Sequence, residues 1–117
     1  MLPKANRLKK KKDFETIFKK GKRFKEDFLL FKVVKKNSET KRFGFVINQK
    51  VSKKATIRNK LRRKLSRLTE LKLKQIKKGI DGIFVVIPGL ENKDYWELEE
   101  IIDKILNKAG VLKQKND

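Results

Sequence analysis

An α+β fold, an α/β sandwich with a small mixed sheet and helices packed on it, is what the sequence predicts, and three observations predict it. Residues 28–36 and 41–48 carry apolar side chains at the two-residue period of strands. A third apolar run, 82–88, is short and bounded by Gly82 and Pro88, which suits a buried strand. Around and between these runs, three segments repeat apolar residues at helical i, i+3, i+4 spacing. The order is α-β-β-α-β-α, with the second helix making a βαβ crossover. At 117 residues the chain is one domain, 1–117, with residues 1–10 and 111–117 expected to be flexible because they are polar and terminal.

The first helix starts near Asp13, where Phe14, Ile17 and Phe18 take i, i+3 and i+4 positions, and Gly21 is placed to end it. In the strand at 28–36, Leu29, Phe31 and Val33 lie on one face and Phe28, Leu30 and Val34 on the other, so each face is covered or one is kept open for a ligand. Residues 37–40 make a polar turn, and 41–48 returns with Phe43, Phe45 and Ile47 alternating, as a hairpin. The second helix runs from an N-cap at Ser52 or Thr56 to about Lys77. Gly79 and Gly82 break it before the strand at 82–88. In the last helix, Asp94 and Glu97 have capping-box spacing, Leu98, Ile101, Ile102, Ile105 and Leu106 form the apolar stripe, and Gly110 lies just past the end.

The second helix carries the chemistry. The net charge of the chain is +20, and residues 50–78 hold thirteen Lys or Arg against one acid, Glu70. At about 100° per residue, Arg58, Asn59, Arg62, Arg63 and Arg67 share one half of the helix surface, while Ile57, Leu61, Leu65 and Leu68 share the other. A merely solvated helix alternates charge signs to gain i,i+4 pairs, and this one does not. Guanidinium forks suit phosphates, and Asn59 adds a donor and an acceptor able to read a base edge or ribose hydroxyl. The pattern points to a polyanion, with binding that weakens steeply in salt.

Composition excludes much else. The absence of Cys removes disulfides, thiolate nucleophiles and zinc-finger ligand sets, and the absence of His removes the commonest general base and metal ligand. Lysines near the N-terminus are not followed by the apolar stretch of a signal peptide, and no run approaches the roughly 20 apolar residues that span a bilayer. The expectation is a soluble, cytoplasmic protein. The apolar arc of the basic helix lacks aromatic anchors and is needed for the core, which argues against a membrane surface.

The motif order RLKKKKDFETIFKKG, then strands, then KVSKKATIRNKLRRKLSR resembles the protein subunit of bacterial ribonuclease P. The hallmark of that family is approximately Lys-x-Ala-x-x-Arg-Asn-x-x-Lys-Arg-x-x-Arg on a helix. Lys53, Ala55, Arg58, Asn59 and Arg63 fit it, Arg62 replaces a Lys with charge retained, and Ser66 stands where the last Arg is expected, with Arg67 one residue later. The resemblance covers roughly residues 5–108. It implies a protein that binds the catalytic ribonuclease P RNA and the 5′ leader of precursor tRNA, promoting endonucleolytic removal of the leader. It further implies that the RNA subunit carries catalysis with Mg2+, that the protein itself holds no metal or catalytic residue, and that the crossover is left-handed. By the same resemblance, Lys53, Lys54, Arg58, Asn59, Arg62, Arg63 and Arg67 contact the RNA subunit. Phe14, Phe18 and Phe31 line the leader cleft, with Lys32 or Lys35 at its phosphates. On the residues alone, these aromatics read better as core, because aromatics at helical spacing usually pack inward.

Two alternatives remain open at this point. A structural RNA-binding protein of the ribosome shares the charge and fold type. A metal-dependent nuclease would draw on Asp81, Glu91, Asp94, Glu97, Glu99, Glu100 and Asp103, most of which read better as helix-dipole partners and solvated faces.

Overall fold

The computed structural model describes residues 2–113. The helices are α1 Lys11–Lys20, α2 Ala55–Lys72 and α3 Tyr95–Lys108; the strands are β1 Lys22–Glu26, β2 Leu29–Lys35, β3 Lys41–Val46 and β4 Ile80–Val86. The expected sandwich is present, with one strand more than the sequence pattern predicts. β1, of sequence KRFKE, has a single apolar residue, Phe24, so the alternation that marks a strand is absent from it. It is recruited as the outer strand of a hairpin with β2, across a turn in which Asp27 adopts φ 55°.

The hairpin expected between 28–36 and 41–48 does not form. The sheet order is β1-β2-β4-β3, with β4 antiparallel to β2 and parallel to β3. The physical reason is burial: β4 is buried along almost its whole length and fits only a central position, between strands that can shield both its sides. A polar turn at 37–40 therefore carries the chain past one strand width, and α2 makes the parallel β3–α2–β4 crossover.

One sheet face holds the main core. Leu29, Phe31 and Val33 of β2, with Phe43 and Phe84, pack under Leu61, Leu65 and Leu68 of α2 and the apolar stripe of α3. The rings of Phe31 and Phe84 stack at 4.5 Å between centroids, a close approach available because Gly82 has no side chain to meet Phe31. On the other face, Ile17 of α1 and Leu8 cover Ile83, with Phe14, Val34, Val46 and Val85 half-buried around them.

Both ends of the described segment pack back on the fold. Leu2 is buried, Leu8 N–H donates to Phe43 O at 3.0 Å, and Asn6 Nδ2 donates to Lys41 O at 2.8 Å, so the N-terminal segment expected to be flexible is laid along the free edge of β3. Val111 is buried and Lys113 N–H donates to Gln75 O at 2.7 Å; residues 114–117 of the other segment expected to be flexible lie outside the described residues. The α3 capping box forms as expected, with Glu97 N–H on Asp94 Oδ1 at 2.8 Å and Asp94 N–H on Glu97 Oε1 at 3.1 Å. At α2 neither expected cap serves: Lys54 is the N-cap without a side-chain bond, Ser52 Oγ accepts from Lys54 N–H at 3.2 Å just before the helix, and Thr56 lies inside it. The α-helix ends at Lys72, and a 3-10 turn continues to Gln75.

Asp81, 1% exposed, is the charge on which the α1 face is assembled. Arg42 grips it in a fork, Nε to Oδ1 at 3.0 Å and Nη2 to Oδ2 at 2.7 Å, while Lys36 Nζ reaches Oδ2 at 2.7 Å. Arg42 also stands 3.6 Å from Asp13, which ties the first turn of α1 to the sheet. Burial alone would raise the Asp81 carboxyl, but hydrogen bonds and charge from Arg42 and Lys36 outweigh it and hold the pKa below the ordinary range. Asp81 is thus committed to structure, not poised as a nuclease carboxylate. Because the folded-state pKa is depressed, its contribution is fully present above the unfolded carboxylate value of about 3.9 and is lost as pH falls through the lower folded value. Asp81→Asn should cost about 3 kcal/mol in urea unfolding near neutral pH, and should remove part of the acid-limb loss seen in the native protein.

Candidate nucleic-acid interface

Burial of Leu61, Leu65 and Leu68 fixes the rotation of α2 and turns its basic half outward. Ile57, assigned by periodicity to the apolar half, sits in the first turn and remains 38% exposed. Arg58 is half-buried and its Nη1 donates to Ser52 O at 2.7 Å, which fastens the loop carrying Lys53 and Lys54 to the helix. Arg62 Nη1 donates to Asn59 Oδ1 at 2.9 Å, one turn along the same surface. Arg63 is exposed and has no ion pair or hydrogen bond among the described residues. Arg67 projects into solvent and bonds Glu70 Oε1 at 2.8 Å, so the single acid of the basic stretch is held by a neighbouring arginine, which lowers the Glu70 pKa. Ser66, which stands where the last arginine is expected, is buried and lines a groove together with Leu2 and Phe43, a position that suits a small side chain.

On the opposite face of the sheet, Phe14 and Phe18 extend from α1. Phe14 is half-buried with its ring tip over Gly44, where a Cβ would stand 2.6 Å from the ring Cζ; the glycine leaves room for the ring to approach the sheet. Phe18 is 41% exposed. Lys32 Nζ stands 5.4 Å from the centre of the Phe18 ring and donates to Phe18 O at 3.0 Å. Beside these rings, Leu30, Val85 and Val46 are paired in register across three strands and all half-buried, a strip of apolar sheet that α1 leaves uncovered.

Phe31 does not join this cleft. Alternation along β2 sends it to the α2/α3 face, where it is fully buried against Phe84, so the expectation that it lines the cleft is corrected. Lys35 shares that parity and is likewise directed away from Phe18, leaving Lys32 as the cation of the cleft. Leu30, Val46 and Val85 were not identified as cleft residues from sequence, although the two-sided apolar pattern of β2 contained the signal for Leu30. Arg7 was missed as well. Its Nε donates to Leu2 O at 2.6 Å, and it lines a groove of about 200 Å³ together with Phe14, Gly44, Arg62 and Ser66. That groove joins the aromatic surface of α1 to the basic surface of α2 around the β3 edge.

Among the described residues, no three His, Cys, Asp or Glu side chains converge as a metal site, and no helix is long and apolar enough to cross a membrane. The carboxylates considered for a nuclease are therefore dispersed: Asp94 and Glu97 cap α3, Glu100 pairs with Lys104 at 3.0 Å, and Asp103 with Lys72 at 2.5 Å.

A family model described as Ribonuclease P matches residues 2–110. The chain is 36% identical over 112 residues to a ribonuclease P protein component of Synechocystis sp., covering 95% of this chain and 90% of that protein. It is 35% identical over 116 residues to a ribonuclease P protein component of Dictyoglomus turgidum, covering 96% and 95%. The fold superposes on the RNase P protein from Thermotoga maritima with a TM-score of 0.80, at 29% identity over 88% of this chain and 96% of that one. An RNase P protein structure from Staphylococcus aureus gives 0.85 at 22% identity, covering 94% and 100%, a likeness of fold.

Proposed function

The chain belongs to the ribonuclease P protein family, as the protein component of an endoribonuclease, and from that premise we propose how its surfaces divide the work. The basic half of α2, with the loop before it, binds the catalytic RNA through Lys53, Lys54, Arg58, Asn59, Arg62, Arg63 and Arg67. The cleft beside α1 holds the single-stranded 5′ leader of precursor tRNA through Phe14, Phe18 and Lys32. The observation that carries this reading is the groove that Phe14 and Arg62 line together, which makes the two surfaces continuous.

Exposed rings suit unstacked bases because every base offers a π-face, and the apolar strip beside them excludes water from the stack. The cations act by position: an array of fixed guanidinium groups lowers the repulsion between two phosphate backbones brought side by side. In this reading, hydrolysis and its Mg2+ belong to the RNA subunit. The matches above leave the ribosomal alternative without support.

Reconstitution tests the assignment. Precursor tRNA with Mg2+ should be cleaved at its 5′ end when the catalytic RNA and this protein are both present at low Mg2+, and not by the protein alone; cleavage by the protein alone would overturn the reading. Arg62→Ala with Arg63→Ala should weaken RNA-subunit binding and reduce the slope of log affinity against log salt by about one per lost phosphate contact. Phe18→Ala should leave stability nearly unchanged, because the ring is exposed, yet lose about 1–3 kcal/mol of leader-dependent substrate binding. An equal loss on leaderless substrate would point to damage elsewhere.

A further inference from the structure

A cavity of about 510 Å³ lies on the flank of α1 away from Phe14 and Phe18. It opens where β1 stops short: the β1–β2 ladder ends at Lys22 and Val33, whereas β2 continues against β4 as far as Lys35 and Ile80. The notch is lined by Phe24, Val33 and Ala109 from the α2/α3 side and by Val34 from the α1 side, with Val33 and Ala109 buried and Phe24 half-buried and packed against the main core. Around it stand Lys20, Lys22, Lys35 and Lys36, and no carboxylate lines it among the described residues. Lys36 is shared with Asp81 at 2.7 Å; the other three have no ion pair among the described residues. Thr16 adds a hydroxyl that donates to Lys12 O at 2.9 Å, which leaves its lone pairs free to accept.

Like charges around a shared hollow repel one another, so this arrangement does not stabilise the free protein. The volume is in the range of small-ligand sites, which typically have apolar walls and a few placed polar groups. The ligand that satisfies both halves has a flat apolar body and a compact negative charge. We propose that this cavity binds a nucleoside phosphate, its base lying on Phe24 beside Ala109 and its phosphate among Lys20, Lys22 and Lys35. The same chemistry is presented by a free nucleotide and by an unpaired residue of an RNA strand. The site is separate from the leader cleft and from the α2 surface, and does not depend on the reading of either.

Amide 15N–1H spectra of the full chain, titrated separately with AMP, inorganic phosphate and a short single-stranded RNA, test this. AMP should give saturable shifts at residues 20–24 and 33–36 at concentrations where inorganic phosphate gives none. Lys22→Gln with Lys35→Gln, both exposed positions, should weaken AMP binding about tenfold, as expected for the loss of two exposed charge pairs. Phe24→Leu, which keeps an apolar floor and removes the ring, should weaken AMP while leaving the rest of the spectrum in place. Tighter binding of AMP than of the oligomer identifies a free nucleotide as the ligand; tighter binding of the oligomer, with the same amides shifted, identifies a strand. Shifts that are absent here, equal with phosphate alone, or unaltered in the double variant would overturn the proposal.

Discussion

Two strands that are apolar on both faces impose the architecture. β2 and β4 must lie side by side in the middle of the sheet and must be covered twice, because a strand with hydrophobic residues on both faces loses its driving force if either stays in water. On one side α2 and α3 supply a complete cover, with five consecutive stripe residues of α3 buried. On the other, α1 has only ten residues, about 15 Å, against strands that are longer than it and four abreast. Ile17 fills the centre of that face, and the strip of Leu30, Val85 and Val46 is what remains. The cleft is thus a shortfall of helix over sheet, fixed by length.

The electrostatics have a corresponding asymmetry. Acids in this chain are spent locally: Asp81 anchors β3 and β4 to the α1 face, Asp94 and Glu97 cap α3, and Glu70 is tied to Arg67. From the loop at Lys53 through Arg63 the cations have no ion pair among the described residues. Such a surface is destabilising by itself and becomes favourable when polyanion charge is supplied, so the fold and its association share one source of free energy. The groove lined by Arg7, Phe14 and Arg62 matters here because it places two guanidinium groups, one of them from α2, and an aromatic ring within one continuous depression.

Much of this was legible in the residues. The helical stripe of α3 and its capping box, the basic half of α2, and the two-sided pattern of β2 are local signals, each set by a few neighbouring side chains. What was not legible depends on long-range choices. β1 is a strand only because β2 offers it an edge, since KRFKE has no alternation of its own. The pairing partner of β3 could not be read from its own pattern, because alternation marks a face and says nothing about which strand lies alongside. Phe31 was misplaced for a related reason: the motif identified the right strand, but a one-residue parity decides between cleft and core, and Gly82, the space into which the Phe31 ring packs, settles the matter only once the sheet is assembled. Leu2 and Leu8 likewise look like parts of a polar tail until the open β3 edge is known to need a cover.

The central place of β4 also orders events at the ribosome. Residues 80–86 are made after both strands that flank them, so β2 and β3 emerge with no neighbour on their inner edges and with the α2 crossover still between them and their partner. Pairing must wait for a long loop to close, which makes this a non-local and comparatively slow topology. During translation the nascent chain therefore presents a positively charged, unclosed sheet to a machine built largely of RNA. Its release as a folded unit depends on a segment synthesised in the last third of the polypeptide.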